Sequence, residues 1–259
     1  MSATVIPPII AGAITRAHLS WQPILRRGLE AVAAAQPAYL AQLEIDHYLP
    51  TDQRLFAAFA LPLDAVRFVL VGEGPYPRAE SATGVCFMDG AVGSLWSESG
   101  LAKSVNRATS LRNFMKMLLV ADGRLRPDDT GAAAMAPVAL AARSDGSVQT
   151  LAELQARLTS HGFLLLNASL VFRPTVAPAL DAKAWLPFLQ TVLAALSDQR
   201  DQGATPTLVL WGKIAEQLAR LRETSRFPQC CAEHPYNLSF ITHDGMQKLF
   251  GPMRLLSAS

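Results

Sequence analysis

Tyr76, Asn167, Trp211 and His234 are the residues best suited to hold or transform a bound molecule, and each follows a short apolar run. Aromatic rings offer a flat face, an asparagine amide both donates and accepts hydrogen bonds, and an imidazole can donate a hydrogen bond or carry a proton. Ligands of open parallel sheets bind beyond the carboxyl ends of the strands. If the apolar runs are such strands, these side chains share one sheet edge, and the sequence predicts a binding site there.

The apolar runs have the length of buried strands. They cover residues 68–71, 163–166, 207–210 and, less clearly, 229–232. Helical patterns separate them, so the connections between strands are crossovers rather than hairpins. This alternation predicts an α/β fold with a central, mainly parallel four-stranded sheet that is flanked by helices on both faces.

The helices between the strands are predicted from apolar spacing and from capping residues. Ser110 is expected to cap a helix over 111–120, and Thr150 with Glu153 has the spacing of a capping box. A further helical pattern covers 184–196. No linker divides the chain, which predicts one domain over residues 1–259. Within it, residues 1–18 are expected to form a loosely held arm and residues 121–149 a surface insertion.

Composition limits the classes of function. The chain has 259 residues, 50% of them hydrophobic, and a net charge of +2, which permits a polyanionic partner without requiring one. Its three cysteines show neither metal-ligand spacing nor a disulfide framework, so we expect no metal and no cofactor. A cytoplasmic location is expected because no signal peptide or membrane span is evident. We also expect a monomer.

The turn after the first apolar run, Gly72-Glu73-Gly74-Pro75-Tyr76-Pro77, allows several interpretations. A dinucleotide fingerprint needs a third glycine where Pro77 stands and a helix that begins at once, and neither is present. An ordinary connection between a strand and a loop would also fit this segment alone. The remaining interpretation depends on resemblance: the turn resembles the G-Q-D-P-Y-H active-site loop of family 1 uracil-DNA glycosylases.

Four further blocks resemble that family in the same order along the chain, over about residues 20–256. The segment 164–168 resembles its L-L-L-N-A strand, and 210–212 resembles its L-L-W-G strand. The segment 234–239 matches H-P-S-P-L-S at four positions, and Ser110 with Leu111 and Asn113 resembles the end of the loop that grips phosphate. Together the five blocks identify the chain as a member of the uracil-DNA glycosylase superfamily.

The resemblance implies an enzyme that flips uracil out of DNA and hydrolyses its N-glycosidic bond to leave an abasic site, as in base excision repair. The implied roles fall into three groups. In the first group, Asn167 would recognise the base, Phe87 would stack on it and Tyr76 would exclude the methyl group of thymine. In the second, His234 would stabilise the leaving base. In the third, Leu238 would act as a wedge in the DNA, and Ser110 and Ser239 would bind phosphate.

The active-site loop departs from family 1 where the attacking water is activated. Gly74 stands in the position of the family's aspartate, Glu73 replaces its glutamine and Pro77 its histidine. Losing a positioned base costs about 10²–10⁴ in rate. The sequence therefore predicts altered or slowed water activation, with Glu73 as a substitute carboxylate. Two alternatives stay open: an impaired homologue that binds uracil in DNA without cleaving it, and a glycosylase for another modified base.

Overall fold

The computed structural model describes residues 6–199 and 205–258, and it has the predicted α/β fold. The strands are β1 (Phe68–Gly72), β2 (Trp96–Ser97), β3 (Gly100–Leu101), β4 (Phe163–Asn167), β5 (Thr207–Trp211) and β6 (Gln229–Ala232). The helices are α1 (Pro8–Ile14), α2 (Gln22–Ala35), α3 (Tyr39–Ile45), α4 (Lys103–Arg107), α5 (Thr109–Ala121), α6 (Ala132–Ala142), α7 (Leu151–Ser160), α8 (Pro178–Asp198), α9 (Lys213–Leu218) and α10 (Asp244–Phe250). Short 3₁₀ helices cover Arg54–Ala60, Leu63–Ala65, Arg222–Arg226, Leu238–Thr242 and Gly251–Met253.

The central sheet is four-stranded and parallel, with the strand order β4-β1-β5-β6, as the apolar runs predicted. β1 and β4 are neighbours although many residues separate them in the chain, so a crossover connects them. Their register pairs Phe68 with Phe163 and Gly72 with Asn167. The carboxyl ends of these two strands therefore coincide, which brings the turn after β1 next to Asn167.

The described residues form two compact units. The first unit contains residues 6–89, 162–199, 205–209 and 216–229, and the second contains 90–161, 210–215 and 230–258. One domain over the whole chain stays a prediction. No helix in the described ranges is long and apolar enough to cross a membrane.

Each unit has its own buried core. In the first unit, α2 packs against α8 so closely that a Cβ atom at Gly28 would lie 2.6 Å from the Phe188 ring. In the second unit, Trp211 lies among aromatic rings, with centroids 5.6 Å from Phe114 and 5.3 Å from Phe240. Aromatic clusters of this kind contribute both buried area and favourable ring geometry. They fix the segments on which the candidate site is built.

The predicted arm over residues 1–18 is wrong for the part that the structure describes. α1 begins after Pro7, and Ile10, Ala13, Ile14 and Ala17 are buried. Apolar residues at this spacing line one face of a helix, and proline is well tolerated in its first turn. Residues 1–5 lie outside the described residues.

The predicted surface insertion over 121–149 is also wrong, because this segment contains α6 and contributes to the core of the second unit. Met135 and Ala139 of α6 are buried, as are Leu125 and Val148. The Trp96 indole donates a hydrogen bond to the Val148 carbonyl at 2.7 Å. α6 is rich in alanine, so it can be helical without the alternation of polar and apolar residues that a sequence pattern needs.

Of three predicted helix starts, one is confirmed and two differ from the structure. The capping box of Thr150 and Glu153 is confirmed at the start of α7. Ser110, by contrast, caps nothing: α5 begins at Thr109 after Ala108, so Ser110 is the second helical residue. α8 begins at Pro178, ahead of the predicted position 184, because proline suits the first turn of a helix.

Candidate active site

The turn after β1 is joined to the segment after β4 by backbone hydrogen bonds. The Ala168 N–H donates to the Gly72 carbonyl at 2.8 Å, and the Ser169 N–H donates to the Glu73 carbonyl at 3.0 Å. These bonds continue the pairing of the two parallel strands beyond their last residues. As a result, residues 72–74 and 167–169 run side by side at the sheet edge.

Asn167 is buried against Gly72, and only glycine fits there. A Cβ atom at Gly72 would lie 2.5 Å from the Cys86 sulfur and 3.1 Å from the Asn167 amide oxygen. Asn167 is only 5% exposed, yet its side-chain amide makes no hydrogen bond with any other residue that the structure describes. Its donors and acceptor are therefore available to a ligand. A ligand that displaced water from this amide without replacing its hydrogen bonds would lose about 1–3 kcal/mol.

Gly74 occupies a position where the fold does not require glycine. Its backbone lies outside the left-handed region, and a Cβ atom there would make ordinary contacts of 3.6 Å with the Ser169 Cβ atom and carbonyl. An aspartate could be accommodated, so the absence of a carboxylate is not imposed by crowding. The neighbouring Glu73 is exposed, and its carboxylate has no hydrogen bond or ion pair within the described part of the chain.

Phe87 has a strained backbone that several hydrogen bonds hold in place. Its φ is +67°, which is rare for a residue with a large side chain. The Cys86 N–H donates to the Leu165 carbonyl at 3.0 Å, the Thr83 hydroxyl donates to the Met88 carbonyl at 2.9 Å, and the Tyr76 hydroxyl makes a long contact of 3.5 Å with the Phe87 carbonyl. Such strain costs about 1–3 kcal/mol and is concentrated at functional sites.

Tyr76 lies partly buried beside this loop. Burial is the main reason why the pKa of its phenol is raised well above the ordinary value. The hydroxyl therefore stays neutral at any physiological pH and cannot act as a general base. What Tyr76 can offer is a rigid aromatic surface that limits the shape of a ligand.

In the second unit, a glycine directly after β5 allows His234 to come close. Gly212 has a φ of +65°, and a Cβ atom there would lie 2.9 Å from the His234 Cβ atom. The Gly212 N–H also donates to the Ala232 carbonyl at 2.9 Å. A side chain at position 212 would be strained and would push the histidine away, so Gly212 fixes where His234 stands.

The His234 ring has a defined hydrogen-bonding state. The Tyr236 N–H donates to the His234 Nδ1 atom at 3.1 Å, and the Asn237 N–H donates to the His234 carbonyl at 2.9 Å. Because Nδ1 is an acceptor, the neutral ring carries its proton on Nε2. The imidazole is exposed, and in this tautomer its Nε2 atom carries the proton.

The predicted DNA contacts differ in their surroundings. Leu238 is 69% exposed at the start of a 3₁₀ helix whose next residues, Phe240 and Ile241, are buried, so an exposed apolar side chain stands on an anchored segment. The Ser239 hydroxyl lies close to the Glu233 carboxylate and is the main reason why the pKa of that carboxyl lies below its ordinary value.

Ser110 stands at the second position of α5, where its hydroxyl makes no hydrogen bond with another described residue. The first N–H groups of any helix lack intrahelical partners, and they attract anions. Ser110 is therefore placed where a phosphate group could be bound.

Asn113 has a contact that sequence reasoning missed. It is completely buried, and the two N–H donors of its amide are shared among the carbonyls of Pro235 at 2.7 Å, Tyr236 at 3.2 Å and Asn237 at 3.4 Å. The sequence does contain a signal, because an amide interrupts the apolar face that includes Leu111 and Phe114. Its partners could not be foreseen, since they lie more than 120 residues away.

The structure thus brings the candidate residues together in two groups, each within one unit. Glu73, Gly74, Tyr76, Phe87 and Asn167 belong to the first unit; Ser110, His234, Leu238 and Ser239 belong to the second. Across the described ranges, no cluster of three or more histidine, cysteine, aspartate or glutamate side chains could hold a metal ion.

Comparison with known proteins gives consistent similarities, although no family model matches the chain. The crystal structure of wild-type UNG (uracil-DNA glycosylase) from Nitratifractor salsuginis is 36% identical with a TM-score of 0.86, covering 98% of this chain and 100% of that one. The curated uracil-DNA glycosylase of Corynebacterium glutamicum is 29% identical over 232 residues, which are 86% of this chain and 81% of the relative. The mimivirus uracil-DNA glycosylase structure, at 16% identity and a TM-score of 0.53, is similar in fold alone.

Proposed function

This chain belongs to the uracil-DNA glycosylase superfamily, and on that premise we propose that it flips uracil out of DNA and hydrolyses the N-glycosidic bond to leave an abasic site. The observation that carries the proposal is the Asn167 amide, which is buried at the sheet edge and lacks a hydrogen-bond partner among the described residues. An amide in this state can pair with a polar ligand that enters the sheet edge.

Uracil has the complementary hydrogen-bonding pattern. The Asn167 amide can donate to uracil O4 and accept from uracil N3–H, whereas cytosine reverses both demands. With the wrong base, buried groups on both sides would be left unpaired, and sites of this kind discriminate strongly. Asn167 therefore selects uracil over cytosine in the proposed reaction.

The two aromatic residues of the first unit complete recognition of the base. The Phe87 ring, held by its strained but well-bonded backbone, stacks on the extruded base and contributes about 1–3 kcal/mol. The Tyr76 ring lies against C5 of the base and excludes the methyl group of thymine by contact. Burial raises the pKa of its phenol, so no phenolate is available as a base.

His234 stabilises the departing base. As the N-glycosidic bond breaks, negative charge develops on uracil, and the Nε2–H of His234 donates a hydrogen bond to uracil O2. The Tyr236 N–H supports this role by keeping Nδ1 unprotonated. A donor that is aimed at developing charge is worth about 3–4 kcal/mol of transition-state stabilisation. The protein's own residues supply this effect, and no cofactor is needed for the hydrolysis.

DNA binding and base extrusion are assigned to exposed residues of the second unit. Leu238 fills the space that the base leaves in the stack, as apolar wedges do. The Ser110 hydroxyl and the first N–H groups of α5 bind a backbone phosphate. At Ser239, a phosphate would replace the Glu233 carboxylate as the acceptor of the hydroxyl hydrogen.

Water activation is the step at which this chain departs from its resemblance to family 1. Without a carboxylate at Gly74, we assign the positioning of the attacking water to the exposed Glu73, with a slower hydrolytic step as the consequence. The missing carboxylate at position 74 also favours a second candidate function, that of a homologue that flips and binds uracil without cleaving it. The lack of a side chain at Gly74 would also leave room for a larger, modified base.

A direct test is to incubate the protein with single- and double-stranded oligonucleotides that carry one uracil and to measure uracil release and alkali-sensitive strand breaks. We expect release from uracil substrates and none from otherwise identical substrates with cytosine or thymine. The matched variant Asn167→Asp should lose preference for uracil over cytosine. Tight binding of uracil DNA without release would instead support the second candidate. Absence of both binding and release would contradict the proposed function.

A further inference from the structure

We infer that Asn113 is a positioning residue for the leaving-group step, acting through the segment 234–238 that carries His234 and Leu238. The inference rests on the proposed function, because it concerns how that reaction is supported. Asn113 does not contact the substrate in this scheme. It acts by fixing the backbone from which the imidazole and the leucine project.

The contacts of Asn113 are concentrated on this segment. Its amide nitrogen lies 2.7, 3.2 and 3.4 Å from the carbonyl oxygens of Pro235, Tyr236 and Asn237. Three consecutive carbonyls that converge on one donor require the backbone to curve around it. The bond to the Pro235 carbonyl is buried and those to Tyr236 and Asn237 are partly buried, and a hydrogen bond is stronger where water is excluded.

The curved backbone around Asn113 also determines which nitrogen of the His234 imidazole carries the proton. The Tyr236 N–H, which donates to the His234 Nδ1 atom, belongs to the residue whose carbonyl accepts from Asn113. Moving this residue would loosen the hydrogen bond that places the ring proton on Nε2. Asn113 therefore controls both the position of the imidazole and the nitrogen that presents a donor.

Helix α5 carries both Asn113 and Ser110, the residue that we assign to phosphate binding. Ser110 and Asn113 are three residues apart, so they lie on adjacent turns of the helix. A phosphate bound at Ser110 and the segment held by Asn113 would share one rigid element. Binding of the DNA backbone and placement of the leaving-group donor would then depend on the same helix. An error of about 1 Å in the position of a catalytic group can lower the rate about 100-fold.

The first test compares single-turnover rates of uracil release. Asn113→Ala should be slower than the wild type by about 10- to 100-fold, since the imidazole is misplaced. Asn106→Ala is a matched control, because Asn106 also donates its amide to a backbone carbonyl, that of Leu101 at 2.9 Å, but makes no hydrogen bond to the described residues 234–238. Equal rates for Asn113→Ala and the wild type would overturn the inference. Asn113→Ser, which keeps a small donor, replaces Asn113→Ala if the latter fails to fold.

A double-mutant cycle separates positioning from general destabilisation. If Asn113 acts through His234, then adding Asn113→Ala to His234→Ala should change the rate by less than about threefold. Independent, multiplying effects would mean that Asn113 does not act through His234, and this result would overturn the inference.

A measurement without substrate keeps the inference separate from the proposed function. Nitrogen chemical shifts of the His234 imidazole report which ring nitrogen carries the proton. We expect the Nε2–H form in the wild type and a mixture of forms in Asn113→Ala, with no change in Asn106→Ala. An unaltered His234 signal in Asn113→Ala would overturn the inference even if uracil were cleaved. An altered signal in a protein that cleaves nothing would uphold positioning and remove the proposed function.

Discussion

Replacing His234 with alanine should lower the single-turnover rate of uracil release by about 10²- to 10³-fold, which is the usual effect of removing one donor to a developing anion. The reason is that the Nε2–H of His234 is a preformed donor: Nδ1 is already occupied by the Tyr236 N–H at 3.1 Å. Binding of uracil DNA should change far less than the rate, because the hydrogen bond strengthens only as charge develops on the base. Single-turnover kinetics together with DNA titration measure the two effects separately.

His243 offers a matched control in the same unit. Its Nδ1 atom accepts a hydrogen bond from the Met246 N–H at 3.4 Å, where it caps α10, so the local geometry resembles that of His234. His243→Ala should lower the stability by about 1 kcal/mol, as loss of a helix cap does, and leave the rate nearly unchanged. Glu73→Gln should be slower than the wild type but faster than His234→Ala. Equal rates for His234→Ala and the wild type would exclude His234 from the reaction.

Replacing Gly74 with aspartate should raise the rate of uracil release by about 10- to 100-fold, which is part of the contribution that a positioned base makes. The fold allows the change, since a Cβ atom at position 74 would make only ordinary contacts of 3.6 Å with Ser169 and the backbone φ is not left-handed. The new carboxylate would stand next to the segment that carries Asn167. Single-turnover rates of the variant and the wild type, measured on the same duplex, give the comparison.

Gly74→Asn is the control for this experiment, because it has the same shape as Gly74→Asp but lacks a basic oxygen pair. We expect Gly74→Asn to match the wild type in rate. If Gly74→Asp shows no gain over Gly74→Asn, the attacking water is held elsewhere in the protein. Gly74→Asp combined with Glu73→Gln then shows whether the new carboxylate replaces Glu73, since the second change should cost little once the aspartate is present.

The strands and their final residues could be predicted because their signals are local. Runs of buried apolar residues that end at a polar or turn-forming residue mark β1 and β4, and topology then brings Gly72 and Asn167 to one edge. The capping box of Thr150 and Glu153 was equally readable, since all of its partners lie within four residues. These features depend on spacing alone.

The features that sequence reasoning missed depend on partners far away or on residues without a pattern. Helices α1 and α6 consist largely of small or apolar residues, so no polar face distinguishes them from irregular segments. Ser110 has a side chain typical of a helix cap, but the helix begins one residue earlier. The bonds of Asn113 to residues 235–237 follow from tertiary folding, which no local spacing reveals.

A crystal structure of the His234→Ala variant bound to a duplex with one uracil tests the proposed base pocket most directly. We expect the uracil outside the stack, with its ring against Phe87, its O4 and N3 within hydrogen-bond distance of the Asn167 amide, and Leu238 in the vacated space. A uracil that stays stacked in the duplex, or a flipped base that contacts neither Phe87 nor Asn167, would contradict the proposal.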